Sequence, residues 1–419
     1  MSVTRTVLIA GAGAVGLTVA ALLATGRCAD RVRVRVLEAG TLPHWDPARM
    51  DLRVYALSRA SQQILAHLRV WQPLVAVRAC PYRRMHVWEG DDPYGTASLD
   101  FDSADVGEPD LGHIVEDGLL RGRLLDLVEA LPNAEVSTGA AIEAVAATER
   151  SVTVTFANGA SAAGAVLVAA DGTESTVRNL LGMAVAGRAY EQTALVANVR
   201  SSEGHGSTAW QRFLPGGPLA FLPLCDGSSS IVWSLPSERA AELRVATSAD
   251  FIAALQAASG GVLGELSVDG PRAAFALQAL HAWRYTQPRI ALLGDSAHTV
   301  HPLAGQGMNL GLLDAASFAA VFEEAVLRGE DPGDLRVLRR YERERKGDNL
   351  QMLAALDGLQ RLFALPGWAA ALRGAGMGVV DRSGPIKRAL MIRALGLDSR
   401  RKRSIRWSQG YGDPRIGTP

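Results

Sequence analysis

The sequence has 419 residues, which is more than one ordinary hydrophobic core accommodates and suggests two or three domains. Lys and Arg together number 43, as do Asp and Glu, so the formal net charge is zero. This balance argues against nucleic acid as the main partner, because binding to a phosphate backbone needs a basic excess. The three cysteines are spaced for neither a disulfide framework nor a zinc site, and we expect reduced thiols in a cytoplasmic protein.

The apolar run at residues 7–24 carries no charge and is long enough to raise the question of a membrane span or a signal peptide. It is rich in Ala and Gly, however, and its glycines follow the pattern Gly11-x-Gly13-x-x-Gly16 between a β-branched strand and a helix. This order predicts a dinucleotide-binding turn. Gly11 allows a tight reversal, Gly13 lets the backbone approach a pyrophosphate, and Gly16 lets helix and strand pack closely. The helix N-terminus then attracts phosphates.

A second strand is predicted at residues 32–37 and ends at Glu38, where an acid can bind a ribose hydroxyl. Because a carboxylate there disfavours a 2′-phosphate, the tightly held dinucleotide should be NAD or FAD rather than NADP. No catalytic domain with acid/base residues follows directly. Instead, two further buried strands end in an acid next to a glycine, as strands at nucleotide-binding sites do. One ends at Asp171 and the other at Asp295. Three such strand ends spread along the chain favour one extended ligand, and FAD is such a ligand.

These motifs, in this order, resemble those of the flavin-dependent aromatic hydroxylases with the para-hydroxybenzoate hydroxylase fold. The stretch GDSAHTVHPLAGQGMNLGLLDA, at 294–315, is similar to the ubiquinone-biosynthesis hydroxylases that act on polyprenyl phenols, and so are DLRVYALS at 51–58 and WQRFLPGGPLAFLPL at 210–224. The resemblance spans nearly the whole chain. It implies an α/β protein in which a Rossmann-like FAD-binding domain carries an inserted β-sheet substrate domain and a helical C-terminal segment.

The expected domain boundaries follow from the same resemblance and from the strand-like alternation of the inserted segments. The ranges are 1–76, 115–183 and 284–345 for a discontinuous FAD-binding domain, 77–114 and 184–283 for the substrate domain, and 346–419 for the C-terminal helical region. Within the substrate domain, we expect apolar residues such as Phe213, Leu219, Phe221, Leu222 and Trp233 to form the core of the sheet rather than to contact the substrate.

The resemblance also implies which residues contact FAD. Asp295 is assigned to the ribityl chain, Glu38 to the adenosine ribose, and Pro302 to the loop beside the isoalloxazine ring. A helix starting near Gly307 would direct its positive end at the pyrimidine edge and stabilise an anionic reduced flavin. The full expected set is Gly11, Gly13, Ala14, Gly16, Glu38, Arg53, Arg121, Asp171, Asp295, Pro302, Gly305, Gly307, Met308 and Asn309.

At two positions the assignment of family residues to this chain needs comment. The family often has Asn-Arg where this chain has Asp117-Gly118, and this difference affects the expected contact with FAD there and the expected role of Arg121. Asp171 belongs to a motif that the family links with FAD binding and with transient NAD(P)H binding. Arg178 is a candidate for binding NAD(P)H. Because the chemistry is carried by the flavin, we expect no catalytic side chain, with NAD(P)H and O₂ as co-substrates.

The pair His298 and His301 forms an H-x-x-H pattern that raises the question of a metal site. It has no adjacent Glu, and Pro302 prevents His301 from continuing a helix, so we expect no metal. We interpret both as structural histidines, and the alternative is that either one tunes the flavin or hydrogen-bonds the loop.

The expected activity is hydroxylation of a polyprenyl phenol. Two alternatives stay open: a hydroxylase of a soluble aromatic metabolite on the same scaffold, and a flavin-binding protein without hydroxylase activity. The segment 385–407 mixes Leu, Met and Ile with eight basic residues and one acid. It indicates either a solvated tail or a surface that docks on the inner membrane or a partner complex.

Overall fold

In the computed structural model, the described residues are 4–42, 45–300, 305–365 and 370–397. The strands are β1 (Arg5–Ala10), β2 (Val32–Leu37), β3 (Val54–Leu57), β4 (Ala79–Tyr82), β5 (Arg84–Glu89), β6 (Ser98–Asp102), β7 (Gly112–Glu116), β8 (Ala134–Ser137), β9 (Ile142–Ala147), β10 (Val152–Phe156), β11 (Ser161–Gly164), β12 (Val166–Ala169), β13 (Val185–Ser201), β14 (Thr208–Phe213), β15 (Leu219–Pro223), β16 (Ser229–Pro236), β17 (Leu266–Ala282), β18 (Thr286–Gln287), β19 (Ile290–Leu292) and β20 (His298–Thr299).

The α-helices are α1 (Ala14–Thr25), α2 (Arg59–His67), α3 (Trp71–Arg78), α4 (Asp117–Glu129), α5 (Thr176–Leu180), α6 (Ser237–Val245), α7 (Ser248–Ser259), α8 (Gln306–Leu327), α9 (Leu335–Ala364), α10 (Ala370–Arg382) and α11 (Gly384–Ala394).

The first layer is a sheet that has six strands within the described residues. Their order is β18-β19-β12-β1-β2-β8. Strand β1 runs parallel to β2 on one side and to β12 on the other, and β12 runs parallel to β19. Parallel strands are buried on both faces, which explains the continuous apolar run of β1. Helix α1 is buried along almost its whole length against this sheet and α8. The apolar run at residues 7–24 is therefore core, not a membrane span.

A second sheet has eight strands within the described part of the chain, in the order β20-β17-β13-β16-β15-β14-β5-β6. Because side chains alternate between the two faces of a strand, each strand contributes one residue in two to each face. Leu219, Phe221 and Trp233 belong to the face that packs with α6 and α7 in a shared apolar core, as the sequence predicts for these residues. The opposite face borders the cavity described below.

Two small sheets and the C-terminal helices complete the described part of the fold. Strands β3, β7 and β4 form one small sheet, and β11, β10 and β9 form the other. The six-stranded sheet draws on the ranges predicted for the FAD-binding domain, whereas the eight-stranded sheet draws mainly on those predicted for the substrate domain. The β3-β7-β4 sheet takes strands from both. The domain boundaries themselves stay a prediction.

Candidate functional site

A cavity of about 740 Å³ is bordered by residues of both large sheets. It gathers most of the residues that the sequence singles out. Those that line it are Gly11, Gly13, Ala14, Glu38, Arg53, Arg121, Asp171, Asp295, Gly305, Gly307 and Met308. Gly16 and Asn309 do not line it, and Pro302, like His301, lies outside the described residues. Side chains separated by nearly 300 residues of sequence thus meet at one site.

The glycines of the first turn have three different structural roles. Gly11 has φ +98°, in the region that favours glycine, and its N–H donates to the Leu37 carbonyl at 2.8 Å. A Cβ on Gly16 would lie 2.0 Å from the Gly11 oxygen, so Gly16 permits close packing of α1 on the turn. A Cβ on Gly13 would meet no atom within 4 Å and would enter the cavity. The open space beside Gly13 fits the approach of a phosphate group to the backbone.

Glu38 lies at the end of β2, beside this turn. Its Oε2 accepts a hydrogen bond from the Ala12 N–H at 2.8 Å, and its Oε1 accepts one from the Gly40 N–H at 3.0 Å. The carboxylate therefore fixes the turn, and it also borders the cavity. A carboxylate oxygen accepts more than one hydrogen bond, so a ribose hydroxyl remains a compatible partner.

Arg121 extends from α4 to the same end of the cavity. Its Nη2 donates to the Ala12 carbonyl at 3.4 Å, and its Nη1 lies 3.6 Å from Asp117 Oδ2. Its Nε is buried and has no hydrogen-bond partner among the described residues. Buried donors normally have partners. The unpaired guanidinium N–H beside the glycine turn fits a bound pyrophosphate.

Asp171 borders the cavity, but its carboxylate is used within the protein. Oδ1 accepts hydrogen bonds from Ser175 Oγ at 2.6 Å and from Ser296 Oγ at 3.0 Å, and Oδ2 accepts one from the Val177 N–H at 3.0 Å. Asp171 thereby joins the start of α5 to the turn after β19. Arg178 is buried and donates to the carbonyls of Ser296 and Thr173, and it does not line the cavity.

Arg53, Tyr55 and Asp117 form a polar cluster in the middle of the cavity. The Arg53 guanidinium carbon lies 5.5 Å from the centre of the Tyr55 ring, and the Tyr55 hydroxyl donates to Asp117 Oδ1 at 2.9 Å. Burial raises the pKa of Tyr55 well above its ordinary value, so the phenol stays protonated and acts as a donor. The motif pattern singled out Arg53 but not Tyr55, because a tyrosine inside a short strand carries no signal of its own.

Asp295 lies at the cavity wall, after β19. Burial raises the pKa of its carboxyl group, while the nearby His298 and Arg53 act in the opposite direction. Helix α8 begins at Gln306, one residue after Gly305, which has φ +59°. Gly305, Gly307 and Met308 face the cavity, so the positive end of a 22-residue helix points into it. This arrangement fits a ligand that carries or develops negative charge at that edge.

Asn309 does not line the cavity but connects α8 to the segment that runs from β3 into α2. Its Oδ1 accepts hydrogen bonds from the Ser58 N–H at 2.9 Å and from Ser61 Oγ at 2.7 Å, and its Nδ2 donates to the Ala56 carbonyl at 2.9 Å. The side chain thus holds the start of α8 against the turn between β3 and α2. The family resemblance implies a contact between Asn309 and FAD, which stays a prediction, whereas in the structure Asn309 does not line the cavity and makes this cross-link.

A buried ionic network lies behind the loop that carries Asp295. Asp314 Oδ2 is 2.5 Å from His298 Nε2 and accepts from the Gly294 N–H at 3.1 Å. Asp314 Oδ1 accepts from Arg345 Nε at 2.8 Å and from Asn349 Nδ2 at 3.2 Å. Burial raises the pKa of Asp314, but His298 and Arg345 outweigh it and hold this pKa far below its ordinary value. His298 is a buried structural residue, as expected, and the network ties α8 and α9 to the Gly294 turn.

The other end of the cavity is bordered by the free face of the eight-stranded sheet and is mainly apolar. The sheet residues that line it are Met85, Ala194, Val196, Ala209, Gln211, Ala220, Leu222, Val232, Ser234, Phe275, Ala276, Leu277 and Thr299. Leu222 was expected in the sheet core and instead faces the cavity, because it is one residue out of phase with Leu219 and Phe221 along β15. Within the described ranges, no group of three or more His, Cys, Asp or Glu side chains is arranged to hold a metal ion.

Comparison with known proteins places these observations in a family. Residues 4–354 match the family described as "FAD binding domain". The chain is 36% identical to the ubiquinone hydroxylase UbiL of Rhodospirillum rubrum, with 93% of this chain and 89% of the relative covered. It is 34% identical to the 3-demethoxyubiquinol 3-hydroxylase of Escherichia coli, with 93% and 98% covered. It is also 31% identical to the human mitochondrial ubiquinone biosynthesis monooxygenase COQ6, with 92% and 91% covered.

Solved structures agree on the fold. The p-nitrophenol 4-monooxygenase PnpA of Pseudomonas putida superimposes with a TM-score of 0.74 at 19% identity, covering 94% of this chain and 99% of the other. Klebsiella pneumoniae HpxO, in complex with FAD and uric acid, superimposes with a TM-score of 0.72 at 19% identity, covering 93% and 97%. The predicted α/β fold is confirmed, and the glycine turn, Arg121 and the start of α8 fit the cofactor. This chain belongs to the FAD-binding family that includes the ubiquinone-biosynthesis hydroxylases, and it is an FAD-dependent monooxygenase.

Proposed function

We propose that this chain uses FAD, NAD(P)H and O₂ to hydroxylate the aromatic ring of a polyprenyl phenol in ubiquinone biosynthesis. The observation that carries the proposal is the 34% identity over 98% of the length of a 3-demethoxyubiquinol 3-hydroxylase. The cavity supports it, because the end with dinucleotide-binding features continues into an apolar compartment. When bound, FAD supplies the redox chemistry that takes hydride from NAD(P)H and activates O₂.

The residues of this chain divide the remaining tasks. The N-terminus of α8, at Gly305 and Gly307, would stabilise negative charge on the bound flavin. The apolar sheet face excludes water and holds the phenol ring and the first part of its prenyl chain. Gln211, Ser234 and Thr299 are the polar residues among the described sheet residues that line the cavity. The Thr299 hydroxyl already donates to Thr173 Oγ1 at 3.1 Å and to the Asp295 carbonyl at 3.3 Å, so we assign Gln211 and Ser234 to the phenol hydroxyl. A few placed polar groups in an apolar pocket orient a ligand in this way.

The test is a reaction with purified protein, FAD, NADH or NADPH, and a short-chain prenylated phenol. We expect phenol-stimulated O₂ consumption and a product that is one oxygen atom heavier by mass spectrometry. In the organism, deletion of the gene should cause the phenolic substrate to accumulate. Hydroxylation of a soluble aromatic acid but not of the prenylated phenol would support the soluble-metabolite alternative. Bound FAD with neither NAD(P)H-dependent O₂ consumption nor a hydroxylated product would support the alternative of a flavin-binding protein without hydroxylase activity.

We also propose that the C-terminal segment at 385–407 brings the protein to an anionic membrane surface, where a polyprenyl phenol dissolves. Within the described ranges, every helix is too short or too polar to cross a bilayer. Met391 in α11 and Leu395 directly after it are buried, whereas Ile386 and Leu390 of α11 are about half exposed beside Arg388. An amphipathic helix with basic residues binds at the headgroup level. Residues 398–407 lie outside the described residues.

The packing of α11 determines how this proposal is tested. Removing all of α11 would expose Leu111, which packs with Met391 and Leu395, so a deletion should start after Leu397. We expect the full-length protein to bind phosphatidylglycerol vesicles in a salt-sensitive manner. Binding should weaken in the deletion and in the double variant Ile386→Ser/Leu390→Ser, with activity on a soluble phenol retained. The matched control is Val245→Ser, which removes an exposed apolar side chain on α6. Unchanged binding by both altered proteins would assign the segment to a solvated tail.

A further inference from the structure

Two cysteines that are far apart in the sequence meet in the structure. Cys80 lies in β4, in the small sheet beside the middle of the cavity, and Cys225 lies in the turn between β15 and β16 of the eight-stranded sheet. Cys80 packs against Leu224, which brings its thiol beside that of Cys225, close enough for the two to interact through a side-chain hydrogen bond. The Cys80 thiol also donates to the Pro81 carbonyl at 3.9 Å. Cys80 is buried, whereas Cys225 is exposed to solvent. A buried thiol and an accessible thiol are therefore neighbours.

Ordered neighbours hold both sulfur atoms in place. Cys80 packs in an apolar cluster with Ile114 and with Leu224, the residue before Cys225. The turn that carries Cys225 is closed by a hydrogen bond from the Leu224 N–H to the Ser228 carbonyl at 2.9 Å, and Asp226 Oδ1 accepts from the Ser228 N–H at 3.0 Å. Because Cys80 packs against the residue before Cys225 and both cysteines lie on ordered elements, a bond between them requires only a local adjustment.

The contact makes the two thiols chemically unequal. The hydrogen bond from Cys80 lowers the pKa of Cys225, although burial of part of the side chain opposes this. The same hydrogen bond raises the pKa of Cys80, and burial adds to the effect. The thiolate is the reactive form of cysteine. An accessible thiol of lowered pKa beside a second thiol is the arrangement found in redox-sensitive cysteines.

We propose that Cys225 and Cys80 form a reversible oxidation site at which hydrogen peroxide produces an intramolecular disulfide. The Cys225 thiolate attacks one peroxide oxygen, an S–O bond forms, the O–O bond breaks, and the departing hydroxide takes a proton and leaves as water. The Cys80 sulfur then attacks the Cys225 sulfur, the S–S bond forms, and the S–O bond breaks with release of a second water. The two thiols lose two electrons and two protons in total, and one peroxide is reduced to two waters.

The position of the bond gives it a consequence for the cavity. Tyr82, at the end of β4, and Leu222, three residues before Cys225, both line the cavity. A disulfide would therefore join the small sheet to the substrate sheet beside the site. In a cytoplasm, where disulfides are rare, such bonds are usually transient and redox-sensing.

The experiment uses the full-length protein loaded with FAD and treated with hydrogen peroxide, followed by blocking of free thiols with N-ethylmaleimide and trypsin digestion without reductant. We expect the peptide 79–83 linked to the peptide 213–239, at the sum of their masses less two hydrogen atoms. Free thiols in the denatured chain should fall from three to one and return to three after treatment with dithiothreitol. The linked peptide should come from monomeric protein, as judged by electrophoresis without reductant.

Three variants test the assignment. Cys28→Ser removes the third, buried cysteine and should leave the cross-link unchanged. Cys225→Ser should retain both remaining thiols after peroxide treatment, and Cys80→Ser should trap a sulfenic acid on Cys225 that reacts with dimedone. The proposal is overturned if the native protein keeps three thiols, if Cys225 proceeds to sulfinic acid without a cross-link, or if the disulfide joins two chains. The native-protein result decides even if Cys80→Ser fails to fold.

Discussion

The two ends of the cavity are built in different ways. At the dinucleotide end, short turns after parallel strands present backbone groups, and each turn has its own sequence pattern, as at Gly11, Glu38 and Asp295. At the substrate end, single side chains from strands of one sheet form an apolar surface, and β13, β15 and β16 each supply one residue in two. Backbone binding of a common cofactor restricts sequence tightly. A packed apolar surface restricts only size and polarity, so specificity can change there while the cofactor site stays constant.

The largest expected effect comes from blocking the dinucleotide end with one side chain. In Gly307→Val, the added Cβ has room within the protein, since its nearest neighbour is Val300 Cγ2 at 3.6 Å, and the side chain would extend into the cavity. We therefore expect a folded protein that is purified almost without FAD and without activity. The measurements are the flavin absorbance per chain and the circular dichroism spectrum.

The matched control for this prediction is Gly358→Val in α9, another helical glycine, where an added Cβ meets no atom within 4 Å and which does not line the cavity. It should keep a full complement of FAD. A Gly307→Val protein with normal flavin content would mean that α8 does not meet the cofactor at this turn.

The next largest effect is expected in the buried ionic network around Asp314, which packs against the dinucleotide end of the cavity. Asp314→Asn removes the carboxylate that offsets the charge of Arg345 and that is hydrogen-bonded to His298 in a fully buried network. Breaking a buried ion pair by removing one partner costs about 3–5 kcal/mol of stability, because the other charge stays buried without compensation. The measurement is the free energy of unfolding of the FAD-free protein in urea. The exposed pair of Arg239 and Glu242 supplies the control Glu242→Gln, which should cost less than about 1 kcal/mol.

Acid gives an independent test of the same network. Because the folded-state pKa of Asp314 lies below that of the unfolded chain, its ion pairs contribute stability that is fully present above about pH 4 and is lost as the pH falls through the folded-state pKa. The native protein should therefore lose stability below pH 4 more steeply than Asp314→Asn does. Parallel stability curves for the two proteins in that range would contradict the assignment of the lowered pKa.

A smaller effect is expected at Asp295, which we assign to the ribityl chain of FAD. Asp295→Ala should weaken FAD binding by about 1–3 kcal/mol, the usual cost of losing one hydrogen-bond partner in a buried site. Titration of the FAD-free protein by flavin fluorescence quenching measures this loss. Asp295→Asn retains hydrogen-bonding capacity and should lose less affinity. Equal and unchanged affinities in both variants would remove Asp295 from the cofactor site.

The smallest expected effect concerns the substrate end. Ala220→Phe adds an aromatic ring to the sheet face that borders the cavity, so kcat/KM for a prenylated phenol should fall on the order of tenfold or more. FAD content should stay normal, since Ala220 lies on the sheet and not on the dinucleotide turns. Steady-state kinetics and flavin absorbance separate the two effects. The control is Ala241→Phe on the exposed side of α6, and a loss of FAD in Ala220→Phe would mean that the two ends are not independent.

The turns of the dinucleotide end could be predicted from sequence more fully than the sheet face of the substrate end. The second strand was predicted at residues 32–37 and is found there, because a β-branched run between turns has few alternatives. The family resemblance brought the glycine turn, Asp171 and Asp295 to one site before any coordinates. The role of Leu222 was predicted wrongly, because alternation along a strand separates two faces without saying which one packs on helices and which one borders a cavity.

Other features were not predictable because their partners are distant in sequence. Asp314 pairs with Arg345 from the next helix, and Tyr55 pairs with Asp117 from another element. A single acid within the apolar run of α8 is a weak signal that a buried partner exists, but the sequence does not identify that partner. Polar contacts of this kind depend on the angles at which elements pack, and those angles emerge only in the folded chain.

The cross-link made by Asn309 bears on the order of events during protein synthesis. Its side chain holds the turn at Ala56 and Ser58 against the start of α8, and β12 gains its outer neighbour only when β19 is available. The N-terminal glycine turn leaves the ribosome early. The cavity that it borders cannot be completed until the chain has been made to about residue 310. Contacts of such long sequence separation form late, since the loop between them must first be closed. We therefore expect nascent chains shorter than this to be unable to retain FAD, which leaves their apolar sheet edges in need of protection by chaperones.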